Sequence, residues 1–353
     1  MTFYIDGFPG REIELDQKKY LYFGGTSYLG LQTDEAFQDI FISNIRKYGT
    51  NYGASRKSNI RISIYEEVER HLSHLVGSEA CISLSSGYLA GQLVRQTLDT
   101  KTNKLFYAPN THTALYSPSL SDEQFKLYPN FTALNLAIRA HLKVDQSTIP
   151  VVLLDAIDFS GSNYPDFDGL KMLPLEKIIL VVDDSHGIGI VGKNGGGVYS
   201  MLRELKPKEL IVCCSLGKGF GIQAGTIFGS KIRMEELVDT PFFGGASPAT
   251  PAALASLING SELFNEKRAM LKDNIELFRS HIKALDRFKF MKEHPAFSFN
   301  DEEFTKYLKA QMIVVTSFRY PDVDAKLMSR IVISAHHKKE DILLLCNLIN
   351  SYF

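Results

Sequence analysis

The stretch Ser215-Leu216-Gly217-Lys218-Gly219-Phe220-Gly221 sets one lysine between two glycines, just past an apolar run at residues 210–214. An amine presented at a strand end can condense with a carbonyl. Flanking glycines let a flat ring lie close to the backbone. Taken alone, the stretch also fits a surface turn that carries a lysine, so its meaning depends on partners elsewhere. Asp183 ends a second apolar run, residues 178–182, and His186 follows it closely. A carboxylate at that depth needs a cation or a set of backbone amides. A protonated pyridine nitrogen is one such cation, and a carboxylate facing it is the usual protein contribution to tuning pyridoxal phosphate. Ser85-Ser86-Gly87-Tyr88 opens a helix after a strand, where free amides can bind phosphate or the serine can serve only as a cap. Ser215 offers a further hydroxyl to the same phosphate. His112 follows another strand end; its ring can stack on a flat cofactor or be purely structural.

These residues need a scaffold that gathers strand ends. From residue 64 the pattern alternates: helix 64–76 with Gly77 as its stop, strand 80–84, helix 89–98, strand 105–107, strand 125–128, helix 132–142, then strands 151–154, 178–182, 210–214 and 226–228. Short apolar strands alternating with helices predict a mostly parallel sheet covered on both faces. Ligands bind such sheets at the carboxyl ends of strands. The loops with Ser86, His112, Asp183 and Lys218 all fall there, so they are expected to share one rim. Upstream lie strand-like pieces at 3–5 and 20–23, helix 35–48, and a polar stretch at 49–63 that is either a ligand loop or a solvated connection. Downstream come a helical stretch with breaks at 251–285, a strand near Phe288, helix 301–310, strands 312–318 and 330–334, and helix 339–353. The expected organisation is a large domain, 46–245, and a smaller α+β domain formed by 1–45 with 246–353.

Composition narrows the function classes. The 353 residues are 44% apolar, which excludes wholesale disorder. Thirty-nine basic and 40 acidic residues leave a net charge of -1, so electrostatics gives no case for nucleic acid or an anionic membrane. The four cysteines form no C-x-x-C pair, as expected of reduced thiols. The longest clean apolar run is far too short to span a bilayer, and the first residues lack a signal pattern. A soluble cytoplasmic protein is expected. His71 and His74 share a helix face, but no carboxylate or cysteine completes a metal set. His336 and His337 are expected to point apart in an extended segment.

In order along the chain, Ser-Gly-Tyr, the loop histidine, Asp183-Asp184-Ser185-His186-Gly187 and the Lys218 turn resemble the α-oxoamine synthase family of pyridoxal-phosphate enzymes, within the fold-type I, aspartate aminotransferase-like superfamily. Tyr28-Leu29-Gly30-Leu31 and the segment 330–337 match its two ends. The resemblance implies that Lys218 holds the cofactor aldehyde and moves the Cα proton. Asp183 would pair with the pyridine nitrogen, His186 would contact the ring hydroxyl, and His112 would stack on the ring. Ser86, Gly87, Tyr88 and Ser215 would hold the phosphate, and Ser160 would lie near the ring hydroxyl. Arg330 would bind the substrate carboxylate, with Thr26 standing where the family has a substrate-side asparagine. Implied partners are a small amino acid and an acyl-CoA, in a homodimer, with loss of CO2. An aminotransferase, or a binding protein that keeps the cofactor without turnover, are the alternatives. The chain departs from the family at Asn59-Ile60-Arg61, Tyr65 and Gly244-Gly245, in regions that line the amino-acid and acyl-donor sites.

Overall fold

The computed structural model describes residues 3–116, 127–319, 324–325 and 327–353. The chain forms two compact units. One holds the chain up to Asp39, Phe159–Gly161 and Ser261–Phe353; the other holds Ile40–Asp158 and Ser162–Gly260. The divisions thus fall at 39/40 and 260/261, where the sequence reading put them at 45/46 and 245/246. The segment Phe159–Gly161, read as part of the large domain, groups with the smaller unit.

The smaller unit opens with strands β1 (Glu12–Leu15) and β2 (Lys18–Phe23), an antiparallel pair. The larger unit carries β3 (Ala80–Leu84), β4 (Asn103–Tyr107), β5 (Ile149–Asp155), β6 (Ile179–Asp183), β7 (Glu209–Ser215) and β8 (Gly225–Gly229). They form one sheet in the order β3-β8-β7-β6-β5-β4. β4 to β7 run parallel, whereas β8 is antiparallel to both neighbours, so β3 runs in the same direction as β7. The parallel strands read as continuous apolar runs because both faces are covered. Leu153, Val181, Ile211 and Ile227 pack with Leu93 and Val94 of helix Gly87–Leu98 in one buried cluster. Helix Ile64–Val76 ends at Gly77, whose φ of 83° closes the last turn with an N–H to the Ser73 carbonyl, as glycine there allows.

The smaller unit completes its sheet with β9 (Lys289–Phe290), β10 (Ala296–Phe299), β11 (Ile313–Arg319) and β12 (Leu327–Val332), in the order β1-β2-β11-β12-β10-β9. Asp301 caps helix Glu302–Ala310, its carboxylate accepting the Phe304 N–H at 2.8 Å.

Several expectations need correction. Residues 3–5 form no strand; Tyr4 is exposed and the pairing begins at Glu12. The strand at 226–228 exists, but it is the antiparallel member of its sheet. The helical stretch expected with breaks at 251–285 is two helices, Pro251–Asn259 and Ser261–His281, the break falling at Gly260 as that expectation allowed. β1 and β10 were not anticipated. Residues 125 and 126 of the strand expected at 125–128 lie outside the described residues, and Leu127 makes a single parallel bridge to Tyr107. Among the described residues, no helix is long and apolar enough to cross a membrane.

Candidate active site

In the larger unit the parallel strands all end on one edge. Ser86 and Gly87 follow β3, His112 follows β4, Asp155 closes β5, Asp183 closes β6, and Ser215 closes β7 with Lys218 just beyond. Because β8 runs the other way, its first residue, Gly225, lies at this same edge opposite Leu84 and Ser215. The backbone is tight here. A Cβ on Gly225 would fall 2.1 Å from the Ser86 carbonyl oxygen, and one on Gly87 would fall 2.7 Å from the Ser215 nitrogen. Only glycine permits this approach, and it draws Ser86 and Ser215 together across β8.

The polar contacts follow from that convergence. The Lys218 Nζ lies 3.1 Å from His186 Nε2. Asp183, 8% exposed, accepts the Ser185 N–H at 2.8 Å. Ser185 Oγ in turn accepts the Ser215 N–H at 2.8 Å, tying the β6 loop to the β7 loop. Ser215 Oγ accepts the Gly217 N–H in the lysine turn. Ser86 caps its helix by accepting the Leu89 N–H, which leaves the amides of Gly87 and Tyr88 as first-turn donors beyond the reach of any intrahelical carbonyl. The Tyr88 side chain is exposed, so its contribution at this end is its amide.

Two acids stand side by side at the rim. Asp155 and Asp183 are direct partners in the β5–β6 ladder. Burial, then the Asp183 charge, pushes the Asp155 carboxyl well above its ordinary range. Asp155 also accepts the His112 N–H at 2.9 Å and so fixes the histidine loop. The His112 ring accepts the Ala114 N–H at Nδ1, and burial lowers its basicity, with Asp183 raising it and Lys218 lowering it further. The sequence reading missed Asp155; its signal is the same one that marked Asp183, an acid ending an apolar strand. The neighbouring Asp184 does different work. It is 1% exposed, accepts the Val198 N–H at 2.9 Å, and burial pushes its pKa to about 8. A Cβ on Gly197 would fall 2.1 Å from its Oδ2, so Asp184 organises the loop behind the rim.

The residues present fit pyridoxal phosphate. Two adjacent acids call for a cation, which a protonated pyridine provides. The glycine-lined approach of Ser86 to Ser215 offers hydroxyls and free amides to a phosphate. Lys218 supplies the amine.

Three expected residues belong to the smaller unit. Thr26 is exposed, and its carbonyl accepts the Tyr28 N–H at 2.9 Å. Ser160 is exposed, within the segment Phe159–Gly161. Arg330 on β12 faces Ser298 and Thr316 on the adjacent strands, and its guanidinium carbon lies 3.7 Å from the centre of the Phe159 ring. His336 and His337 do not point apart. They occupy a turn closed by the His337 N–H to Ser334, and their rings meet edge to face at 4.9 Å.

The polar stretch at 49–63 is tied to the rest of the larger unit at several residues, among them Ser55, whose hydroxyl donates to the Gly244 carbonyl at 2.7 Å, and Arg56. Arg56 forms a two-point pair with Glu69 at 2.8 and 3.1 Å, and its guanidinium lies 4.1 Å from the Tyr65 ring centre. The Tyr65 hydroxyl donates to the Ala249 carbonyl at 2.7 Å, while Asn59, Ile60 and Arg61 are exposed.

The fold matches solved pyridoxal-phosphate enzymes over nearly its whole length. A serine palmitoyltransferase from S. paucimobilis, solved with a bound PLP–myriocin adduct, superposes with a TM-score of 0.82 at 19% identity, covering 99% of this chain and 92% of that one. An 8-amino-7-oxononanoate synthase from Francisella tularensis does so at 0.71 and 22% identity, covering 94% and 97%. The architecture is therefore that of fold-type I, aspartate aminotransferase-like enzymes. No family model matches the chain. Among curated proteins, an 8-amino-7-oxononanoate synthase of Petrotoga mobilis is 26% identical over 96% of this chain and 89% of its own length. A Trichodesmium erythraeum protein named "Putative 8-amino-7-oxononanoate synthase" is 30% identical over 78% and 71%. The chain belongs to the α-oxoamine synthase family.

Proposed function

We propose that this protein is a pyridoxal-phosphate-dependent acyltransferase that joins a small amino acid to an acyl-CoA, with release of CO2 and free thiol. The observation that carries the reading is the Lys218–His186 contact at the rim that also holds the Asp155–Asp183 pair. When bound, pyridoxal phosphate supplies an electron sink for negative charge at Cα. Ser86, Ser215 and the amides of Gly87 and Tyr88 hold its phosphate. Asp183 would keep a proton on the pyridine nitrogen, while burial drives the neighbouring Asp155 toward its neutral form. His112 supplies a largely neutral ring for stacking. Lys218 Nζ takes the Cα proton, with His186 fixing the amine by the contact already described and meeting the ring hydroxyl. Arg330 binds the amino-acid carboxylate through charge-assisted bonds, with Thr26 its expected companion on the substrate side, while Ser160 is expected near the cofactor's ring hydroxyl. The new carbon–carbon bond forms between Cα and the thioester carbonyl; the thiolate leaves and is protonated, the carboxylate departs as CO2, and the proton held by Lys218 returns to Cα. The protein is expected to work as a cytoplasmic homodimer.

A second reading is a cofactor-binding protein without condensation. It draws on Tyr65, whose hydroxyl is engaged with the Ala249 carbonyl, and on exposed Asn59-Ile60-Arg61. An aminotransferase is the third. One assay separates them. Alanine, glycine and serine are each paired with short, medium and long acyl-CoAs, including pimeloyl-CoA and palmitoyl-CoA, while thiol and CO2 are followed. Thiol and CO2 released together, only with an amino acid present, are the expected result. Keto acid without thiol points to the aminotransferase, and spectral binding without any product to the second reading.

A further inference from the structure

An arginine that receives a substrate carboxylate must be held in place without being neutralised by an acid of its own protein. Arg330 meets that condition in an unusual way. Among the described residues it has no ion pair, and its buried Nε has no hydrogen-bond partner. Its ladder neighbours are Ser298 and Thr316, and the Thr316 hydroxyl is engaged by the Gly25 N–H at 2.9 Å. Its Nη2 donates to the thioether of Met328. What fixes the plane of the guanidinium is the Phe159 ring, at 3.7 Å. Phe159 is itself gripped: its ring meets His294 edge to face at 5.8 Å, and His294, fully buried, meets the buried Tyr28 at 5.5 Å.

The backbone at Phe159 is a second, independent sign. Its φ is 55°, a left-handed conformation that an aromatic residue adopts only when its surroundings require it. The three residues Phe159–Gly161 leave the larger unit, to which both flanking segments belong, and group with the smaller one. The chain thus makes an excursion in a left-handed conformation that sets the Phe159 ring against the Arg330 guanidinium and the His294 ring.

We propose that Phe159 is a positioning residue for substrate binding: its ring face orients the Arg330 guanidinium while leaving the arginine's charge, and the N–H donors not turned to Met328, available to a carboxylate. The inference rests on the reading that Arg330 takes the amino-acid carboxylate. A ring face attracts a guanidinium through its quadrupole and uses none of the in-plane N–H groups. An aspartate in the same place would orient the arginine equally well and would cancel it. Phe159 therefore acts on affinity for the amino acid and leaves the chemistry at the lysine alone.

The test uses the holoenzyme, titrated with alanine, glycine and serine and followed by the visible absorbance of the cofactor. Phe159→Leu removes the π face but keeps the bulk. Phe159→Gly removes the ring at a φ that glycine adopts readily, so a loss there is not a failure of the turn. Both should raise the amino-acid dissociation constant roughly threefold to thirtyfold, the range of a partly desolvated cation–π contact. Cofactor affinity and kcat should stay unchanged. Phe159→Tyr and Phe159→Trp should restore wild-type affinity, and in an Arg330→Ala background Phe159→Leu should have no further effect. If Arg330→Ala weakens amino-acid binding but Phe159→Leu and Phe159→Gly do not, the inference is overturned while the carboxylate assignment stands. If Arg330→Ala itself leaves binding unchanged, both are overturned.

Discussion

Asp183 in the larger sheet and His337 in the smaller unit are both buried, yet their surroundings treat them oppositely. Asp183 stands beside another acid, Asp155, whose carboxyl is pushed upward by burial and by Asp183 itself. His337 has both ring nitrogens occupied: Nδ1 accepts the Ser334 N–H at 2.9 Å, and Nε2 meets the Tyr22 carbonyl at 3.0 Å. Its ring also stacks on Phe23 at 4.0 Å. The rim acids crowd like charge at one edge, offset only in part by Lys218; the histidine has both ring nitrogens engaged. Buried groups with strained electrostatics mark where a ligand belongs, and saturated ones mark architecture.

The comparison can be broken at either end. The larger effect is expected at Asp183. Under the proposed role, Asp183→Ala with the cofactor bound would remove the carboxylate that pairs with the pyridine nitrogen, leaving a buried charge without its partner. Such a loss is worth about 3–5 kcal/mol, roughly two to four orders of magnitude in rate. Exchange of the amino-acid Cα proton in heavy water measures it. Exchange as fast as wild type would mean that the acid pair serves some other purpose.

A smaller effect, on stability alone, is expected at His337. Burial lowers its pKa from the ordinary 6.5 to about 4 in the folded protein. The unfolded chain therefore binds the proton more readily. The stability at stake is fully present above 6.5 and is lost as pH falls from there toward 4. For a side chain 4% exposed, the loss is about 3 kcal/mol. Denaturant unfolding of wild type and His337→Asn across that range should show a shallower acid limb in the variant. Equal limbs would show that His337 is not held neutral.

The two regions also differed in how readily the sequence disclosed them. The larger sheet was legible because its strands are continuous apolar runs, and because Asp183 and Lys218 each sit where such a run stops. The helices at Glu35–Tyr48 and Ile64–Val76 emerged with their observed bounds, since apolar periodicity and a terminal glycine act locally. The antiparallel sense of β8 was not legible, because pairing direction is decided by neighbours distant in sequence. Asp155 was overlooked because nothing in its vicinity repeats a known motif. The smaller unit was harder. Phe159 reads as an ordinary loop residue, and only the fold brings it onto Arg330. The turn that turns His336 toward His337 is closed by a backbone bond that side-chain alternation does not foretell.

The central claim is that Lys218 is the residue that carries the cofactor. Borohydride reduction of the holoenzyme, followed by peptide mapping, tests it most directly. The account predicts a pyridoxyl group on the peptide containing Lys218, and its disappearance in Lys218→Ala. A label on any other lysine, or unchanged labelling in the variant, would contradict it.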